Sequence, residues 1–393
     1  MHFKYLSLLA LALLQPVHSF AIQSRSTSTQ TRTQCQKHLN CPKDTLFVSP
    51  TDPRASHKTI QSAISSLPND KSSQTILVFE GSYNEQLNVT RPGPITILGQ
   101  SDSPSDPLKN KVTVSFAAAN QDSTGTIDNV WFSVLVVAPT LDASLIGSGT
   151  TGFAVPDDTP FGNTDFRVYN VDFVNDFAPY TDGPAAAMMI SRANGGFYYC
   201  GFYSYQDTIY VGKLGNAYFY KSIIAGETDF LYGFGTAWIQ SSDIQLRGCG
   251  GGITAWKGTN TTFENKYGVY IVDSNVAAAN SSVAPSIKGK CALGRPWNAL
   301  HRSIFANTYE DGSILPAGYI QWDDRYEDGS TLMAEYEAFG PGFNKTARVD
   351  GGYDTLLSKK GYQTYSTPEV VFQDQEGKLG YVDWIDWETV GGK

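Results

Sequence analysis

Five short runs in this chain repeat one pattern: "YNVDF", "YYCGF", "YKSII", "QSSDI" and "VDSNV". Four of them open on an aromatic or polar residue, and all five close on an apolar one. The closing residues are Phe173, Phe202, Ile224, Ile244 and Val276, in steps of 29, 22, 20 and 32 residues. An apolar position that recurs every 20 to 30 residues, with irregular spacing, marks a solenoid whose corners accept insertions. The surrounding runs, such as "FRVYNVDFV", "AYFYKSII" and "GVYIVDSNV", are rich in β-branched and aromatic residues. An antiparallel sandwich would need hairpin turns, and few Asn-Gly or Asp-Gly pairs separate these runs. The expected fold is therefore all-β, a right-handed parallel β-helix, over residues 46–393. Near its start, "SHKTIQSAISSLPND" places Ile60, Ile64 and Leu67 on one helical face ended by Pro68, which predicts a short N-terminal capping helix.

That architecture gives meaning to two acids set in apolar company. Asp207 follows Phe202 by five residues, and Asp229 follows Ile224 by five residues. They hold the same place on successive coils, where neighbouring strands lie ~4.8 Å apart. Two carboxylates that close resist joint ionisation, so one is expected to hold a proton. A proton donor beside a carboxylate is a catalytic arrangement. The competing reading is a pair of loop aspartates that cap backbone amides.

The ends and the charge narrow the function classes. "MHFKYLSLLALALLQPVHSFA" has one Lys, a short apolar run and small residues, so residues 1–19 read as a signal peptide and the protein as secreted. Residues 20–45, rich in Ser, Thr and Gln, read as a loose leader. Asn88, Asn260, Asn280 and Asn344 head four glycosylation sequons. The formal charge of −9, one unit more negative once Lys4 leaves, disfavours nucleic acid and anionic membrane as partners. A monomer is expected. Cys35 and Cys41 are close enough to form a small loop, while Cys200, Cys249 and Cys291 leave at least one thiol unpaired within the chain. No Cys/His cluster suggests a metal, and no cofactor is expected.

Blocks of sequence then become recognisable. "GSYNEQ" at 81–86, "YQDTIY" at 205–210, "TDFLYG" at 228–233 and "LGRPW" at 293–297 resemble, in order, the signature blocks of pectin methylesterases. The "TIQSAISSLP" helix and the closing "AEYEAFGPGFN" are similar to that family too. The resemblance implies a parallel β-helix, no metal or organic cofactor, and methyl-esterified pectin as substrate. It makes Asp229 the nucleophile and Asp207 the general acid and then base. Gln206 would donate to the oxyanion, Arg295 would orient Asp229, and Trp297 would pack on the sugar. By residue type and place beside the two acids, Tyr232, Phe230 and Tyr205 are expected as further sugar contacts. An ester carbonyl needs just these parts: a nucleophile, donors for the developing oxyanion, and a proton for the departing alcohol.

One departure matters. The family commonly carries a second amide donor where this chain has Pro184, in "GPAAAMMIS". Proline has neither an amide side chain nor a backbone N–H. Plant relatives also pair the cysteine at the Cys200 position with one a coil later; Ser222 stands there, which makes Cys200 a buried free thiol. The alternative function is a catalytically weak homologue that binds pectin. A pectate lyase would want a calcium cluster, and a serine hydrolase a Gly-x-Ser-x-Gly turn; neither is present.

Overall fold

The computed structural model describes residues 28–122, 127–145 and 158–391. The signal-peptide expectation for residues 1–19 lies outside them. Three sheets of eleven, seven and eight strands run along the molecule, and the strands within each pair in parallel. One coil passes through all three. Asn194–Tyr198 lies in the eleven-stranded sheet, Gly201–Tyr203 in the eight-stranded sheet and Ile209–Val211 in the seven-stranded sheet. The next coil repeats it as Asn216–Tyr220, Ile223–Gly226 and Leu231–Gly233. The fold is the expected right-handed parallel β-helix, the hand that crossover connections between parallel strands adopt.

The repeated pentapeptide has a structural cause at three of its positions. Its last residues, Phe173, Phe202, Ile224, Ile244 and Val276, are in register and buried in the interior. Its second residues, Asn170, Tyr199, Lys221, Ser241 and Asp273, all take left-handed backbone, with φ between 47° and 57°. That single-residue bend turns the chain from one sheet into the next once per coil. At the third position Cys200 N donates to Ser222 Oγ, Ser222 N to Ser242 Oγ and Ser242 N to Ser274 Oγ. Ser222 is thus one rung of a hydroxyl ladder. Cys200 is buried and free, and the other four cysteines form Cys35–Cys41 and Cys249–Cys291.

The capping helix spans Ile60–Ser66 and buries Ile60, Ala63 and Ile64. Leu67 already has extended backbone, as expected of a residue before proline. The Glu85 carboxylate accepts from Ile60 N and Gln61 N, at the positive end of this helix. The leader differs from expectation. Within it, Thr29–Gln36 forms a helix against the outer face of the eleven-stranded sheet, with Arg32 stacked 4.4 Å over the Tyr169 ring and Gln36 Nε2 donating to Asn170 Oδ1. Its polar composition reflects docking by amide and guanidinium contacts on that face. The C-terminal segment covers the same face through Val371, Phe372, Trp384 and Ile385.

Near the C-terminal end of the β-helix, Arg348 meets three carboxylates: Glu310 at 2.6 Å, Glu335 at 2.5 Å and Asp354 at 3.1 Å. All four side chains are wholly buried. One guanidinium cannot neutralise three carboxylates. Burial, then the Glu335 charge, push Glu310 upward; burial and the hydrogen bond and charge of Glu335 do the same to Asp354. A carboxyl raised above its unfolded value holds a proton that the unfolded chain releases. The contribution of Glu310 and Asp354 to stability is therefore greatest at acid pH and declines as pH rises above the ordinary carboxylate range. Glu335, lowered against its burial by hydrogen bonds to Asp354, Glu310 and Arg348, contributes in the opposite sense. Arg348→Met should cost about 3–5 kcal/mol, because it strands buried charge. Glu310→Gln should flatten the fall of melting temperature with pH. Thermal melts from pH 5 to 9 test both, and an Arg348→Met protein as stable as wild type would refute the assignment.

Candidate active site

Asp207 and Asp229 lie in the loops that lead from the eight-stranded into the seven-stranded sheet. Two registers fix their equivalence: Phe202 pairs with Ile224 before them, and Ile209 with Leu231 after them. Gln206 and Thr228 form a parallel bridge directly before the two acids. Both acids take left-handed backbone, φ 61° and 48°, which Asp tolerates better than most residues. Each is only 7% exposed.

Their surroundings separate them. Arg295, placed just beyond the strand Ala292–Gly294, grips Asp229 with both arms of its fork: Nε to Oδ1 at 2.9 Å and Nη2 to Oδ2 at 2.6 Å. Gly252 N adds a third donor to Oδ1 at 3.1 Å. Gly251 must lack a side chain, since a Cβ there would lie 2.7 Å from Asp229 Oδ1. Asp207 has no such grip. Burial first, and then the charge of Asp229, push its carboxyl well above the usual range, against the pull of Lys257 and Arg295. One acid is thus a fixed, triply hydrogen-bonded carboxylate and its neighbour a group inclined to keep its proton. Such a pair can combine a nucleophile with a proton donor.

The remaining expected residues divide. Trp297 is partly buried, 5.6 Å from the Tyr232 ring, with Lys257 Nζ 3.3 Å over its face. Tyr205 and Gln206 line a hollow with Phe177, Tyr180 and Asp182. Phe230 is a correction. It is 0% exposed inside the β-helix, where Gly226 makes room for its ring, so it offers no face to a sugar. Tyr232, 1% exposed, lies beneath the site with its hydroxyl towards Asp207 and Asn129. Pro184 contributes a carbonyl, which accepts from Asn120 N at 2.8 Å. Asn260, Asn280 and Asn344 are exposed, while Asn88 is half-buried.

Sequence reasoning passed over three residues. Trp322 stacks on the Arg295 guanidinium at 3.6 Å and shields the fork that holds Asp229. Lys257, brought down to about 7 chiefly by burial, adds a positive charge facing Asp207. Asn129 donates to Asp207 Oδ2 at 3.4 Å. Nothing local in the sequence marks Lys257 or Asn129. His301 is buried with its pKa lowered to about 3 by burial, so it stays neutral; its Nδ1 accepts from Trp256 N. Among the described residues no group of three or more His, Cys, Asp or Glu is arranged to hold a metal ion.

Known proteins share this arrangement of coils. The family model described as pectinesterase matches residues 149–374. A probable pectinesterase A of Aspergillus niger is 28% identical over 331 residues, which cover 84% of this chain and 85% of that protein. The crystal structure of the deglycosylated pectin methylesterase from Aspergillus niger superposes with a TM-score of 0.67 at 27% identity, covering 88% of this chain and 97% of that one. The carrot pectin methylesterase, at 21% identity, has the same fold, with a TM-score of 0.66 over 83% of this chain and 92% of that one. With more than half of its length matched by the family model, and the same β-helix in a crystallised relative, this chain belongs to the pectinesterase family.

Proposed function

We propose that this protein is a secreted pectin methylesterase that uses Asp229 as nucleophile and Asp207 as acid and then base. The observation that carries this reading is the unequal treatment of two stacked acids: Arg295 holds Asp229 through two hydrogen bonds, while burial and the Asp229 charge keep a proton on Asp207. In the first half-reaction an Asp229 oxygen attacks the galacturonate ester carbonyl. The developing oxyanion takes the Gln206 amide, and the C–O bond to methoxide breaks as Asp207 gives it a proton. Methanol leaves, and Asp229 is joined to the sugar as an acyl anhydride. Water then attacks that acyl carbon and gives one proton to Asp207 as the bond to Asp229 breaks; the galacturonic acid set free loses its own proton to solvent, and both acids are restored.

Trp297 and Tyr205 are the aromatic surfaces we assign to the polysaccharide. Lys257 and Arg295 offset the negative charge of the chain as a whole at the point where a partly de-esterified, acidic polymer must bind. Extracellular residence is supported by the apolar N-terminal run and by three exposed sequon asparagines. No described helix is long and apolar enough to cross a membrane. The second reading, a weak pectin-binding homologue, rests on Pro184 alone.

Methanol release from highly methylated pectin is the direct test, run with and without a chelator. We expect release that the chelator does not change. Pectin binding without methanol would favour the second reading, and unsaturated products absorbing in the ultraviolet would point to a lyase.

A further inference from the structure

The place vacated by an amide at Pro184 is connected, through two asparagines, to Asp207. Two backbone groups of known polarity fix the sense of this chain. Asp122 N–H donates to Asn120 Oδ1 at 2.9 Å, and Asn120 Nδ2 donates to the Ile127 carbonyl at 2.8 Å. Asn120 therefore presents N–H, not oxygen, to Asn129, and donates to Asn129 Oδ1 at 2.7 Å. With its oxygen so occupied, Asn129 turns its own amide nitrogen to Asp207 Oδ2, 3.4 Å away. The backbone of Asn120 is in turn pinned by its N–H to the Pro184 carbonyl at 2.8 Å. Gly183 beside it must stay small, since a Cβ there would meet the Asn120 carbonyl at 2.5 Å.

We propose that Asn129 is a positioning residue for Asp207: its amide, aimed by Asn120 and through it by Pro184, fixes which carboxyl oxygen of Asp207 carries the proton. A carbonyl oxygen accepts an N–H better than a hydroxyl oxygen does, so an amide directed at Oδ2 favours the form with the proton on Oδ1. When the proton passes to methoxide, the Asn129 N–H meets a full carboxylate and the hydrogen bond becomes charge-assisted. The amide thus favours the ionised form of Asp207 at the moment it is made. It acts alongside the other groups that face this carboxyl, namely Asp229, Lys257, Arg295 and the Tyr232 hydroxyl.

This inference rests on the esterase reading for its kinetics and is independent of it for its titration. Removing a donor to the charged form raises the pKa of Asp207 further. In Asn129→Ala, kcat on methylated pectin should fall about tenfold, with KM within about twofold, as for an interaction strengthened in the transition state. The alkaline limb of kcat, where Asp207 loses its proton, should move up by about half a pH unit or more. Asn120→Ala should shift both in the same direction by less. The infrared carbonyl band of the protonated carboxyl, isolated as wild type minus Asp207→Asn, should persist to higher pH in both variants. Wild-type enzyme that releases no methanol would defeat the esterase reading while the infrared titration still decided the role of Asn129. Methanol release that needs Asp207, with kcat, limb and band all unmoved in both variants, would overturn this inference and leave that reading intact.

Discussion

Asp229→Asn is expected to remove methanol release, by a factor on the order of 10⁴ or more, without unfolding the protein. The amide has nearly the shape of the carboxylate and tolerates left-handed backbone, so φ 48° at this position need not change. Its oxygen can still accept from Gly252 N or from Arg295 Nε. Arg295 loses its ion partner but keeps Trp322 against its guanidinium at 3.6 Å, and its side chain is 21% exposed, so water can serve the freed N–H groups. The chemistry is lost because an amide is not a nucleophile for an ester. The measurement is methanol release under saturating pectin, with melting temperature and near-ultraviolet circular dichroism as controls. Release above about 1% of wild type by a variant with native melting would take Asp229 out of the mechanism.

What could be read from sequence followed from how local each constraint is. The pentapeptide repeat was legible because two of its positions each answer to one need per coil: a left-handed bend at the second residue and an interior apolar residue at the fifth. Once that repeat sets the coil length, Asp207 and Asp229 are equivalent by counting, and the bridge between Gln206 and Thr228 shows the same register. Arg295 is 66 residues beyond Asp229 and reaches it across the coil that carries Gly251 and Gly252, so only the resemblance of its block singled it out. Asn129 precedes Asp207 by 78 residues, from a short turn with no repeat of its own, and no pattern could place it. Phe230 was misread because an aromatic beside an acid suggests a sugar platform. The left-handed Asp229 instead sends the next side chain inward. The leader was misread from composition, since a helix that docks through Arg32 and Gln36 has no apolar stripe to announce it.

Asp207→Asn should lower turnover of methylated pectin by ~10²–10⁴, the range for loss of a general acid–base group. The loss should fall unequally on the two half-reactions. Methoxide is a poor leaving group and needs the Asp207 proton, whereas an aryl ester of galacturonate leaves as a stable phenolate without one. In this variant, aryl-ester cleavage should therefore begin near the wild-type rate. It should then stall, because no base remains to take the proton from the water that opens the acyl-enzyme. The signature is a burst of phenolate close to one equivalent per enzyme, followed by slow turnover; wild type should show no such stall. Asn at 207 can still accept the Asn129 N–H, and the left-handed backbone at φ 61° suits it, so misfolding should not confuse the result. A variant slow on both esters from the first turnover would mean that Asp207 supports attack rather than departure. One that matches wild type on pectin would mean that water supplies the proton.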